Sequence, residues 1–233
     1  MGYLNIQLQG REIFSRYGSS NHQQLELQAN RGLEQVASEA FGHYQPDLAW
    51  VDHSGQEHYH GRAENKHKLT AEAREFQAIM KSYLRSEKGQ EFVNYAKGRL
   101  SSPVDVVGYG ATDNLDDRVI AALLSTRDKV GVIVGNYTGG SFEEKVQHFA
   151  ASYQGQVSHD EMREFVLLHE LSHQAAANEG HGVEYRANAY VESYCAHKIK
   201  EAKAKGDHTS VARYQRIAKV AKDMKTKAKK SGK

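Results

Sequence analysis

Cysteine is nearly absent from this chain: Cys195 stands alone among 233 residues, which excludes an intramolecular disulfide framework. Long apolar runs are absent too. No stretch reaches 18 apolar residues, so no membrane-spanning helix and no membrane partner are expected. The opening MGYLNIQLQGREIFSRYG lacks a basic segment followed by an apolar core, so no signal peptide is expected there. Position 6 is Ile where N-myristoylation wants Ser or Thr. These absences together point to a cytoplasmic, reducing setting. Apolar residues make up 39% and charged residues 26%, a somewhat polar balance for a compact protein.

The net charge of +2 conceals an asymmetry. Residues 198–233 carry 13 Lys and Arg against three Asp and Glu, a net of +10, whereas the preceding 197 residues carry 18 against 26, a net of −8. Thr209 is placed to cap a helix with a narrow apolar stripe of Val211, Tyr214, Ile217, Ala218 and Ala221. Lysines crowd the rest of it. Two readings follow: a packed helix with a solvated end, or an arm that binds a polyanion such as nucleic acid. Removing residues 205–233 is expected to leave the chemistry of the chain intact; if the stripe packs on the core, the same truncation would instead unfold the chain.

That chemistry is concentrated between Phe165 and Tyr194, where His169, Glu170 and His173 spell H-E-x-x-H. Random placement of 13 His and 19 Glu in 233 residues yields this pattern about 0.06 times, so the match is informative. Ser158 and Glu161 form an S-x-x-E capping box, which predicts a helix starting just after Ser158. Met162, Phe165, Val166, His169, His173 and Ala176 then share one face, while Leu167, Leu168, Leu171 and Ala175 make a second. The helix is therefore expected to be buried on most sides. Positions i and i+4 of a helix stand one above the other, so His169 and His173 are placed to offer two imidazoles to one Zn2+ ion. Glu170 beside them is placed to take a proton from water.

A tetrahedral site with one open position needs a third protein ligand. The helix is expected to end in NEGHG, residues 178–182, and a second helix follows with Val183, Ala187, Tyr190, Val191 and Tyr194 as its stripe. A helical hairpin would return Glu184, on the first turn, toward the metal. Glu179 and His181 in the turn itself compete for the role. His181, Tyr185 and Tyr190 are the nearby candidates for a donor to a developing oxyanion.

The pair HELSH and VEYRANAYV resembles the ImmA/IrrE-type gluzincin metallopeptidases, in which an HExxH helix precedes a helix reading roughly E-x-x-A-N-x-F-A. The matching residues are His169, Glu170 and His173, then Glu184, Ala187 and Asn188, with Tyr190 and Val191 where the family has Phe and Ala. The resemblance implies zinc held by His169, His173 and Glu184, with Glu170 as the general base.

Elsewhere the pattern is plainer. Leu4, Ile6 and Leu8 alternate as a short strand would, and residues 21–41 carry a helical apolar stripe. The segment 46–68, with His53, His58, His60 and His67, reads as a solvated loop or hairpin in which Trp50-Val51 seeds a strand. Thr70 is expected to cap a helix that is interrupted near Gly89. VDVVGY and VGVIV, starting at Val104 and Val130, are β-branched runs bounded by glycine and predict strands; residues 115–125 between them look helical. The glycines of 135–141 follow a strand but lack the lysine of a phosphate-binding loop, so turn chemistry explains them. VGVIV is expected to serve as an edge against which an extended peptide pairs.

The expected fold class is α+β, a mostly helical zincin-like domain with a small β-sheet before the HExxH helix. Its segments are an N-terminal helical region (1–100), a metallopeptidase core (101–204) and a basic helical tail (205–233). The expected function is zinc-dependent hydrolysis of peptide bonds in a protein or peptide substrate. The contrasting expectation is a non-catalytic module stapled by zinc, with a nucleic-acid-binding tail.

Overall fold

The computed structural model describes residues 47–97, 105–125, 130–175 and 182–231. The strand expected at Leu4–Leu8, the helix expected over 21–41, and the candidates Glu179 and His181 lie outside them. Two compact units are present: the first holds 47–97 and 105–142, the second 143–231. The break falls within the segment read as 101–204. The fold class is α+β, with six helices and one five-stranded sheet among the described residues.

In the first unit, β1 (Leu48–Asp52) and β2 (Glu57–His60) form a hairpin. A 3-10 turn at Ala63–Asn65 leads into α1 (Lys66–Arg85), followed by α2 (Glu87–Ala96). The remaining strands are β3 (Asp105–Thr112), β4 (Ala121–Ser125) and β5 (Val130–Asn136). The order across the sheet is β2-β1-β3-β5-β4, with β3 and β5 parallel and the other pairs antiparallel. Side chains alternate across a strand, so Leu48 and Trp50 share a face with Val132 and Val134, and with Val107 they make one buried cluster. Phe142 closes this unit by meeting Phe76 of α1 edge-on, with ring centres 5.1 Å apart.

Several local expectations are corrected here. Residues 121–125 form a strand, not a helix: pairing with β5 outweighs the helical leaning of Ala-Ala-Leu-Leu. VGVIV lies inside β5, which is hydrogen-bonded to β3 on one side and β4 on the other. It therefore has no edge to offer a peptide, and the strand-addition role is withdrawn. Helix α1 begins at Lys66, four residues before Thr70, because the preceding 3-10 turn already sets its direction. The break between α1 and α2 falls at Ser86, whose extended backbone ends one helix and whose Oγ accepts from Gly89 N, 3.2 Å away, to start the next.

Asp47, fully buried just before β1, anchors the hairpin. Its carboxylate accepts from Arg62 Nε (3.0 Å), Arg62 Nη2 (2.7 Å) and Arg62 N (2.6 Å). Burial raises its pKa, but the Arg62 and Asn65 hydrogen bonds outweigh that and hold it below the usual value. Gly61 makes this approach feasible: at φ 138° it has no Cβ, and one placed there would stand 2.1 Å from Asp47 Oδ1. Of the histidines in this region, His58 bonds Asp52 at 2.8 Å and stacks on Trp50, and His53 Nε2 lies 2.9 Å from Val106 O, so the segment is a hairpin as expected.

The second unit is helical. Helix α3 (Phe142–Ala151) crosses the break; then come α4 (His159–Ala175), α5 (Val183–Ala204) and α6 (His208–Ser231). The predicted capping box is formed: Ser158 N donates to Glu161 Oε2 at 3.0 Å, and Glu161 N donates to Ser158 Oγ at 3.2 Å. Met162, Phe165, Val166, Leu167, Leu168 and Leu171 are all buried, as a helix apolar on two faces requires. Tyr214, Ile217, Val220 and Ala221 bury the stripe of α6, and Tyr214 meets Tyr194 of α5 edge-on. The C-terminal segment is thus a packed helix over most of its length. Among the described residues no helix is long and apolar enough to cross a membrane.

Candidate metal centre

Helical spacing brings the two histidines together on α4. Their rings lie 4.6 Å apart, nearly perpendicular, and the two Nε2 atoms stand 3.1 Å from each other. From the first turn of α5, Glu184 closes the group: its Oε2 is 3.1 Å from His169 Nε2 and its Oε1 3.4 Å from His173 Nε2. Two bonds of 2.0–2.1 Å at a tetrahedral angle set donor atoms about 3.3 Å apart, so these three separations suit the face of a zinc polyhedron. The donor chemistry fits as well. Two imidazole nitrogens directed at each other across 3.1 Å are satisfied by one shared proton or by one cation, and a carboxylate beside them favours the cation.

Glu170 is buried, and its carboxylate lies within 4.8 Å of the imidazole nitrogens of His169 and His173. Proximity alone makes it a rival to Glu184 as ligand. We favour Glu184, because its two oxygens face both Nε2 atoms, whereas Glu170 is fixed beside His169 by its place on the same helix. Among the described residues no other group of three or more His, Cys, Asp or Glu is arranged to hold a metal, the histidines of 53–67 included.

Exposure falls off across the group. The side chain of Glu184 is 44% exposed, that of His169 13% and that of His173 7%. The imidazoles are therefore held in the packed interior of the unit, and solvent reaches them from the Glu184 side. Burial pushes the Glu184 pKa up, but hydrogen bonds from His169 and His173 and their charges outweigh it and hold the carboxyl well below its usual range. It is a carboxylate, the form a metal needs. Asn188, buried one turn further on, donates from Nδ2 to Glu184 O at 2.8 Å and so fixes the turn that carries the carboxylate. The Phe165 ring lies 5.8 Å from that of His169, centre to centre.

Of the three candidate oxyanion donors, His181 is outside the described residues. Tyr185 is exposed, and its ring lies under Lys225 of α6, with Nζ 5.9 Å from the ring centre. Tyr190 is partly buried on α5, about one and a half turns beyond Glu184.

Sequence reading missed the support that α6 gives this centre. Arg213 and Arg216 reach Glu164 and Glu161 on α4, and Lys225 pairs with Glu192 on α5. The signal was present as two acidic residues at i, i+3 on one helix and two arginines at i, i+3 on another. No family model matches the chain, and no curated protein and no solved structure matches it.

Proposed function

We propose that this chain is a zinc metallopeptidase in which His169, His173 and Glu184 hold the metal and Glu170 is the general base. One observation carries the reading: two imidazole Nε2 atoms and a carboxylate from a second helix converge at 3.1, 3.1 and 3.4 Å, with an acidic residue beside them. Zinc, when bound, supplies Lewis acidity to a water and to a substrate carbonyl. The protein's own groups do the rest. Glu170 takes the proton from the attacking water and delivers it to the leaving amine nitrogen as the C–N bond breaks. The half-exposed Glu184 side admits a protein or peptide substrate, while the buried His173 side keeps the pair from spreading.

A cytoplasmic setting accords with the lone Cys195, which is buried and whose thiol burial pushes well above its usual pKa. Metal analysis combined with a proteolysis assay on a denatured protein mixture tests the proposal. About one zinc per chain and chelator-sensitive cleavage are expected. Less than a tenth of an equivalent, with no uptake on adding zinc, would rule it out. A site closed by four protein ligands would instead make the metal a staple.

A further inference from the structure

Within the second unit, the turn after α3 and the outer face of α6 border an open cleft of about 600 Å3. It is lined by Tyr153, Gln154 and Gln156 from the turn, and by Lys219, Asp223, Lys227 and Lys230 from the helix. On α6 these four lie at steps of three and four residues, so their side chains share a face, opposite the one that buries Ile217 and Ala221. Lys219 donates to Gln156 Oε1 across the cleft. Tyr153 lines the cleft; its hydroxyl is buried, and among the described residues nothing hydrogen-bonds to it. Burial, and then the charge of Asp223, push this phenol to a pKa of about 12, so at neutral pH it keeps its proton and is a donor. Gln154 holds φ at 53°, the left-handed backbone with which the turn closes the end of α3, its N–H donating to Ala151 O at 2.9 Å.

We propose that this cleft binds the phosphate of a small phosphomonoester of nucleotide size. Three ammonium groups less the Asp223 carboxylate leave a net of +2, matching the charge of about −1.5 to −2 that a phosphate monoester carries at neutral pH. The volume falls in the range of about 300–1,000 Å3 usual for small-molecule sites. The orphan hydroxyl supplies one directed hydrogen bond, which orients a single phosphate and has no counterpart in diffuse attraction to a polyanion. Exposed lysine side chains change rotamer readily, so Lys219 can leave Gln156 for an entering anion. This inference is independent of the peptidase reading, since no metal-site residue lines the cleft.

Titration calorimetry of the full chain with adenosine monophosphate tests it, with adenosine, inorganic phosphate and a (dT)12 strand lacking terminal phosphates as the other arms. Saturable one-to-one binding of the monophosphate is expected, with competition from inorganic phosphate and none from adenosine. Tyr153→Phe removes only a hydroxyl with no described partner, so the urea midpoint should hold while affinity drops about tenfold. Lys227→Gln should weaken binding similarly, and Lys222→Gln, on the same helix but outside the cleft, should leave it within about twofold. No binding of the monophosphate at millimolar concentration, or full affinity in Tyr153→Phe, would overturn the site. Tighter binding of (dT)12 that Lys222→Gln and Lys227→Gln weaken equally would also overturn it, in favour of a general nucleic-acid surface.

Discussion

Arg216, on the last helix, holds the same carboxylate that starts the HExxH helix. Its Nη2 lies 2.6 Å from Glu161 Oε1 and its Nε 3.0 Å from both Glu161 oxygens, while Glu161 also accepts from Ser158 N in the capping box. One turn along, Arg213 Nε meets Glu164 Oε2 at 2.9 Å. Both carboxylates are almost completely buried, and the arginines neutralise them.

Removing one partner of a buried ion pair leaves the other charge uncompensated. Arg213→Ala is expected to cost about 3 kcal/mol, and Arg216→Ala about 2 because its side chain is 43% exposed and Glu161 keeps its capping bonds. Urea midpoints of the full chain give both figures. Losses below about 0.5 kcal/mol for either would mean that the pairs are incidental.

Acid should expose the same contact. Burial raises the Glu161 pKa, but the bonds from Arg216 and Ser158 outweigh it, so the folded value lies below the ordinary 4.5. A group with a depressed folded pKa contributes stability above its unfolded value and loses it as pH falls through the folded one. The wild-type urea midpoint should therefore drop more steeply below pH 4.5 than that of Glu161→Gln, with the two profiles converging in acid. Histidine protonation and metal loss occur in both proteins and cancel in the comparison. Parallel profiles would show that Glu161 titrates alike folded and unfolded.

The HExxH helix was legible because its information is local: capping box, two apolar faces and ligand spacing all lie within 18 residues of Ser158. Glu184 was legible as a candidate through its place on the next helix, though only the folded hairpin separates it from Glu170. Residues 121–125 and the interior place of β5 were not legible, because partner strands decide both. The role of α6 was hidden for the same reason: Arg216 and Glu161 are 55 positions apart, so no local period links them.

That hidden packing reverses an expectation about the C-terminal segment. Deleting 205–233 would uncover the α5 surface against which Tyr214 packs, and would strand the buried Glu161 and Glu164. The truncated chain is therefore expected to lose cooperative unfolding and to take up less than a tenth of an equivalent of zinc, readable by calorimetry and metal analysis. Full zinc uptake by the truncated chain would show that α4 and α5 stand without it.

Between Glu184 and Glu179, mutation gives a ranking. Glu184→Ala should lower zinc affinity by more than about 100-fold, beyond what loss of an outer contact costs. Glu179→Ala should stay within about threefold. A competing chelator titration measures both. The reverse order would move the third ligand to Glu179 and remove Glu184 from the proposal.

The role of Glu170 separates catalysis from metal binding. It is buried beside the histidine pair, close enough to be either base or ligand. Gln keeps the shape and the hydrogen-bonding reach of Glu but cannot take a proton near neutral pH. If Glu170 is the base, Glu170→Gln should retain about one zinc per chain while cleavage falls by at least 100-fold, within the range of about 10²–10⁴ that proton transfer contributes. An unchanged urea midpoint would show that the loss is not one of folding. Copurifying proteases would cleave equally in both preparations, so the variant is also the control for contamination. If zinc is lost along with activity, Glu170 is a ligand, and the water must give its proton to another group. If zinc and cleavage both persist, the base is elsewhere and the parallel with HExxH hydrolysis fails at its central residue.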